Sequence, residues 1–172
     1  RSWVIANDAT YGWDVTRHQN DRRGTWSQVR ATLVKSARFP DPDQDQGHHQ
    51  WNFRIVPDAS VLEAVAAGQQ INLGEREVSG APVDAPFSVS GAVVESVALA
   101  PDRSGDLVIR LYEAEGGPSR VTFRAPKAGS VTACDLRYRP SESEPELRGG
   151  QGEWSFDLSA FQITTLRVSF AK

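Results

Sequence analysis

The chain has no methionine, one cysteine and no long apolar run, and each shortage narrows what it can be. A single cysteine, Cys134, cannot close an internal disulfide, so the fold has to stand on its core, and a reducing, cytoplasmic location is the expectation. No stretch approaches the roughly 18 apolar residues that a spanning helix needs, and the opening "RSWVIANDATYG" lacks the charged start and longer apolar stretch of a signal peptide. The chain therefore reads as soluble, with no membrane partner. The missing initiator methionine suggests further coding sequence upstream. Charge of one sign is scarce too: 19 basic against 22 acidic residues, interspersed, give a formal net charge of −3 and no basic footprint for nucleic acid.

The 172 residues are enough for one ordinary domain or two small β units. Short runs rich in valine, isoleucine and aromatics recur between Gly/Pro/Asp/Ser clusters: "SWVIA", "QVRATLVK", "HHQWNFRIV", "FSVSG", "VVESVALA", "DLVIRLYEA", "SRVTFRA", "SVTACDLRY", "EWSFDL" and "ITTLRVSF". That is the pattern of a mainly β, antiparallel sandwich. In "SRVTFRA" the two-residue period puts Val121 and Phe123 on one face and Arg120, Thr122 and Arg124 on the other; in "TTLRVSF" it turns Leu166, Val168 and Phe170 inward and Arg167 and Ser169 outward. Arg110 and Tyr112 share a strand face opposite Glu113 and read as a structural contact. Cys134 reads as a small buried strand residue rather than a thiolate.

One segment departs from the β pattern. Ser60 followed by Glu63 is a capping-box signature, and Leu62, Val65 and Ala66 then recur at helical spacing, so one short helix is expected over 60–70, fraying near Gly68. The polar, turn-rich "GEREVSGAPVDAP" after it reads as a connector, with a boundary near Val78 between a unit over 1–77 and a second over 78–172. The stretch "RPSESEPELRGGQGE" reads as a long mobile hairpin loop.

The most unusual run is "SARFPDPDQDQGHHQWNF", residues 36 to 53. Asp41, Asp43 and Asp45 alternate as calcium-loop ligands do, but the sixth position is Gln46 rather than glycine, the twelfth is Asn52 rather than glutamate, and Pro42 fixes a backbone angle. Zinc fits no better, since adjacent His48 and His49 point to opposite faces of a strand and His18 lies far away in a polar loop. For the aspartates the plain reading is turn building, and for His49 a strand residue bonding a carboxylate. Asp41 and Asp45 stay open as a glycosidase acid/base pair, because spacing supplies no distance. No self-contained catalytic set emerges.

Taken in order, "NDATYGWDV" (7–15), "LVKSARFPDPDQDQGHHQWNF" (33–53), a proline with a short helix, "GDLVIRLYEAEGG" (105–117) and "FQITTLRV" (161–168) resemble the C-terminal β region of bacterial α-mannosidases of glycoside hydrolase family 38. The resemblance implies a longer, retaining, zinc-dependent parent enzyme whose aspartate nucleophile and zinc ligands lie upstream, with no catalytic residue, metal ligand or cofactor in this chain. It also implies the end of a large mutarotase-like sandwich over 1–77, followed by a small C-terminal sandwich over 78–172. On this reading the chain is an accessory region that finishes the pocket for an α-mannoside and stabilises the upstream catalytic domain; it is inactive alone and prone to self-association as a fragment. The resemblance implies a substrate contact at the position of Lys35; the residues themselves add Asp41 and Asp45, which accept from sugar hydroxyls or fix Lys35 and His49 in place, with His49 and the flat surface of Tyr11 completing the substrate-binding candidates. Family members often carry arginine at the position of Lys35, which keeps the charge without the planar fork; Arg38 is the substitute candidate. Asp58 stands where a histidine often follows the proline. An independent carbohydrate-binding module is the alternative, on the ground of five tryptophans on a β scaffold; Trp13 and Trp51 read as core aromatics, with sugar stacking as their other reading.

Overall fold

In the computed structural model, which describes residues 2–75, 77–81 and 83–170, the chain divides into two compact units, Arg1–Glu77 and Val78–Lys172. The first holds β1 (Trp3–Asn7), β2 (Gly12–Asn20), β3 (Gly24–Thr32), β4 (Phe53–Pro57) and α1 (Val61–Asn72). Strands β1 and β4 form one antiparallel pair, and β2 and β3 form a separate hairpin. Ser60 caps α1 as its sequence signature requires: its hydroxyl accepts from Glu63 N at 3.2 Å, and the Glu63 carboxylate accepts from Ser60 N at 2.7 Å. The helix runs past Gly68 to Asn72, where the Asn72 amide donates to Asn7 O at 3.0 Å and ties the helix end to β1.

Two readings of this unit need correction. His18 lies on β2 rather than in a loop, its ring stacked on Trp26 at 4.2 Å and its Nε2 3.1 Å from Gln28 Oε1. The β2–β3 ribbon is largely exposed, so it carries no half-buried alternation by which β2 could be recognised. The extended run ahead of β4 also joins its ladder later than expected, at Phe53, so His48 and His49 precede the strand. Few side chains in this unit are buried: Ala6, Thr10, Ala59 and Ala67 are, whereas Trp3 and Ile55 on the β1–β4 pair stand largely exposed.

The second unit is an antiparallel β-sandwich. One sheet has the order β10 (Arg148–Gly150), β11 (Glu153–Leu158), β8 (Ser119–Arg124), β5 (Ser88–Ser90); the other has β6 (Val93–Leu99), β7 (Leu107–Tyr112), β12 (Ile163–Phe170), β9 (Ala128–Cys134). The alternation read from the sequence is what fills the space between them. Val121, Phe123 and Phe156 from the first sheet meet Ile109, Leu111, Leu166 and Val168 from the second, all fully buried, and Phe123 also packs against Phe87 and Trp154. Gly91, between β5 and β6, has φ +82°, and a Cβ there would run into the Arg120 carbonyl oxygen, so only glycine fits this crossing.

Buried polar groups tie the turns to this core. Glu113 is 3 % exposed and accepts from the backbone N–H of Glu115 at 2.6 Å, Gly116 at 2.9 Å and Phe161 at 2.9 Å, joining the β7–β8 and β11–β12 turns. The segment expected to be a mobile hairpin loop is instead anchored: the Glu144 carboxylate accepts from Thr164 Oγ1 at 2.8 Å, Leu147 packs against the core, and β10 pairs with β11. Its polar average concealed these few anchoring residues. The contact expected between Arg110 and Tyr112 is not found among the described hydrogen bonds and ring contacts; Arg110 faces a small cavity with Tyr138 and Thr165.

Arg167, on the outer face of β12, clamps the β6–β7 turn. Its Nε donates to Asp106 at 2.7 Å, and one terminal nitrogen donates to Asp102 at 2.6 Å and Ser104 at 3.1 Å. Hydrogen bonds from Ser104 and Arg167 hold the Asp102 carboxyl down to about 2, below its ordinary 3.8. A depressed folded-state pKa stabilises the fold fully above the unfolded value, and that contribution is lost as pH falls through the folded one. Thermal midpoints of the second unit are therefore expected to drop between about pH 4 and pH 2, and Arg167→Gln should flatten that drop. Equal slopes in the two proteins would contradict the clamp.

Candidate functional site

The candidate site lies wholly in the first unit, where two connections leave the same strand ends. Asn7 pairs with Phe53 at the end of β1–β4, and Gly12 pairs with Thr32 at the open end of β2–β3, so residues 8–11 and 33–52 spring from neighbouring points. A Cβ on Gly12 would sit 2.9 Å from Thr32 Cβ, and the close approach at this base requires glycine.

The short connection folds on itself and grips the long loop at both ends. Asn7 Oδ1 accepts from Ala9 N at 3.2 Å and Thr10 N at 2.7 Å, an Asx turn that leaves the Thr10 hydroxyl to donate to Thr32 O. Asp8 takes the other end, its carboxylate accepting from Asn52 N at 3.0 Å and Asn52 Nδ2 at 2.6 Å. Those bonds lower the Asp8 pKa, the Asn52 backbone N–H contributing most. Asp8 and Thr10 were not singled out from the sequence, although the Asn-x-x-Thr spacing of "NDAT" carries the turn signal.

Inside the loop Asp41 and Asp45 organise backbone, and Asp43 holds a neighbouring side chain. Asp41 Oδ1 accepts from Asp43 N at 2.9 Å in a second Asx turn, and Asp43 Oδ1 accepts from the Gln46 side-chain amide at 3.3 Å. Asp45 reaches furthest: its Oδ2 accepts from Ser36 N at 3.0 Å and Lys35 N at 3.2 Å, and its carbonyl oxygen lies 2.9 Å from His49 Nε2. The Ser36 and Lys35 N–H groups, with the nearby His49 ring, hold the Asp45 carboxyl below its ordinary range. Asp45 has φ +60°, a conformation that aspartate tolerates better than most residues, and Gly47 has φ +125°. The His49 ring then stacks on Trp51 at 5.2 Å.

Of the residues expected to meet a sugar, the structure therefore joins three: Lys35 through its backbone, Asp45, and His49. Asp41 shapes the same loop two turns away. Tyr11 is 95 % exposed at the base of the loop and makes no described hydrogen bond to the others. Trp13 is half-buried, its Nε1 donating to Thr10 O at 3.3 Å and its ring edge-on to Phe53 at 6.1 Å, which makes it part of the base of the site. Lys35, Asp41 and His49 are exposed, as are Arg38, Asp43 and His48, so the loop presents two cations, two carboxylates and two imidazoles to solvent.

These residues do not fit a metal centre. Among the described residues no group of three or more His, Cys, Asp or Glu side chains is placed to hold a metal ion; Asp41 and Asp45 are engaged with backbone N–H groups and Asp43 with the Gln46 side-chain amide. No step through zinc is assigned to this chain.

Comparison with known proteins bears on the second unit. No curated protein matches the chain. Residues 91–166 match the family model described as "Glycosyl hydrolases family 38 C-terminal beta sandwich domain", a span that runs from Gly91 before β6 into the middle of β12. Most of the core named above lies within it. Over residues 91–166 the second unit is thus similar to the C-terminal β-sandwich domain of glycosyl hydrolases of family 38.

Proposed function

We propose that this chain is the C-terminal accessory β region of a zinc-dependent, retaining α-mannosidase, inactive alone, whose loop over residues 33–52 forms part of the wall of the sugar pocket. The observation that carries this reading is the loop itself. It is polar and exposed, yet pinned at both ends by Asp8 and Thr10 and internally by Asp45, which is how a surface is preorganised to meet a ligand without containing the chemistry. In this account Asp45 positions, while Lys35, Asp41, His49 and Tyr11 offer hydrogen bonds and a ring face to sugar hydroxyls. Nucleophile and zinc belong to an upstream catalytic domain of the same polypeptide. The first unit is the end of a larger mutarotase-like sandwich, a role consistent with two two-stranded ladders that each leave strand edges unpaired. The lone cysteine suits a cytoplasmic enzyme: it is buried at the end of β9, and burial pushes its thiol pKa up, away from reactivity. The test is hydrolysis of a chromogenic α-mannoside by the isolated chain and by the chain extended through its upstream coding region. Activity is expected in the extended form only, and a zinc chelator should abolish it.

A further inference from the structure

Across the outer face of the second sheet, away from the core, Ser96 on β6, Arg110 on β7 and Thr165 on β12 stand side by side: Arg110 pairs with Ser96 on one side and with Thr165 on the other. Directly paired residues point to the same face, and these three line one cavity of about 20 Å³ together with Ala98, Val108 and Tyr138. Two polar atoms of this cavity are out of contact with solvent and have no partner, Arg110 Nε and Thr165 Oγ1. Thr165 is only 2 % exposed. Buried polar atoms left without a partner are rare and costly.

The described surroundings supply no counterion. None of the ion pairs among the described residues includes Arg110. Glu95, the extra residue of the β-bulge opposite Arg110 and Leu111, is exposed and also absent from those pairs. Asp135, next along the chain from β9, directs its carboxylate to the N–H groups of Arg137 and Arg139 at 2.8 and 2.9 Å. Glu113 serves the turns described above. Arg167, the other arginine on this face, is occupied by Asp102 and Asp106. The wall at Tyr138 is held by its own turn, Tyr138 N donating to Asp135 O at 2.9 Å.

We infer that this cavity is a binding site for a single halide-sized monovalent anion, held by Arg110 Nε and Thr165 Oγ1 beside Ser96. A cavity of about 20 Å³ has room for one such ion or one water and excludes sulfate, phosphate and carboxylates. The unpaired positive charge selects the anion over water. The adjacent bulge in β6 supports a placed feature, because bulges re-aim side chains where a site needs them.

The test is thermal unfolding of the full chain in sodium chloride against sodium gluconate at equal ionic strength. Binding to the folded form alone should raise the midpoint saturably in chloride, the folded-to-unfolded ratio growing about elevenfold when chloride reaches ten times its Kd. Arg110→Gln and the near-isosteric Thr165→Val should each lose or sharply reduce the difference; if the arginine variant does not fold, the threonine variant decides. Equal midpoints in the two salts would assign the cavity to water and overturn the inference. So would a chloride effect undiminished in Thr165→Val.

Discussion

Phe156→Ala should unfold the second unit at temperatures where the parent chain is still folded. Phe156 sits on β11 opposite Val121 of β8, fully buried between the two sheets, and truncating a buried phenylalanine costs about 3–5 kcal/mol in lost transfer energy and residual cavity. A domain of this size has roughly 5–15 kcal/mol to lose, and each kcal/mol moves the midpoint by about 4–8 °C, so a fall of at least about 12 °C is expected. Leu136→Ala is the matched control: Leu136 is 69 % exposed, and its truncation should stay within about 0.5 kcal/mol. Calorimetry of the three proteins measures both effects. A Phe156→Ala midpoint close to that of the control would mean that the two sheets do not share the core assigned to them.

Asp45→Ala should reduce turnover of the extended enzyme on the order of ten- to a hundredfold while leaving the second unit's melting unchanged, because misplacing a pocket wall by about 1 Å is enough for such losses. The carboxylate of Asp45 is the acceptor for two consecutive N–H groups, and its carbonyl holds the His49 ring, so one side chain and one backbone oxygen set the shape of the loop. Alanine removes the acceptor and sits badly at φ +60°. The Asp45→Asn variant keeps one acceptor oxygen, and asparagine tolerates that backbone, so it should lose less. Lys35→Ala provides the complementary case, in which the loop keeps its anchors but loses a group offered to the sugar, whereas Asp41→Ala also removes the acceptor of the Asp43 N–H. Parent kinetics in Asp45→Ala would remove the loop from the pocket.

What could be read from the sequence tracks how strongly burial imprinted it. Val121, Phe123, Leu166 and Val168 alternate with polar neighbours because one face of β8 and β12 is buried and the other is not, and the sandwich follows from that alternation. Ser60 and Glu63 announced α1 because a helix start leaves N–H groups that only certain side chains satisfy. Strand β2 of the β2–β3 ribbon left no such imprint. Its ladder is held by backbone bonds over residues such as Thr16, Arg17 and Gln28, whose side chains are not sorted by burial, and around His18 the sequence alone therefore reads as a loop. Strand β10 is a three-residue edge built around Gly149 and Gly150, too short to show a period. In the candidate loop the turn-building aspartates could be recognised individually, whereas the grip of Asp8 on Asn52 spans 44 positions and appears only when β1 pairs with β4.

A division of labour between this chain and a catalytic domain upstream is measured most directly by hydrolysis of a chromogenic α-mannoside. The isolated chain should be silent, and the extended chain should hydrolyse the substrate until a zinc chelator stops it. Hydrolysis by the isolated chain would contradict the account and return Asp41, Asp45 and His49 to consideration as catalysts.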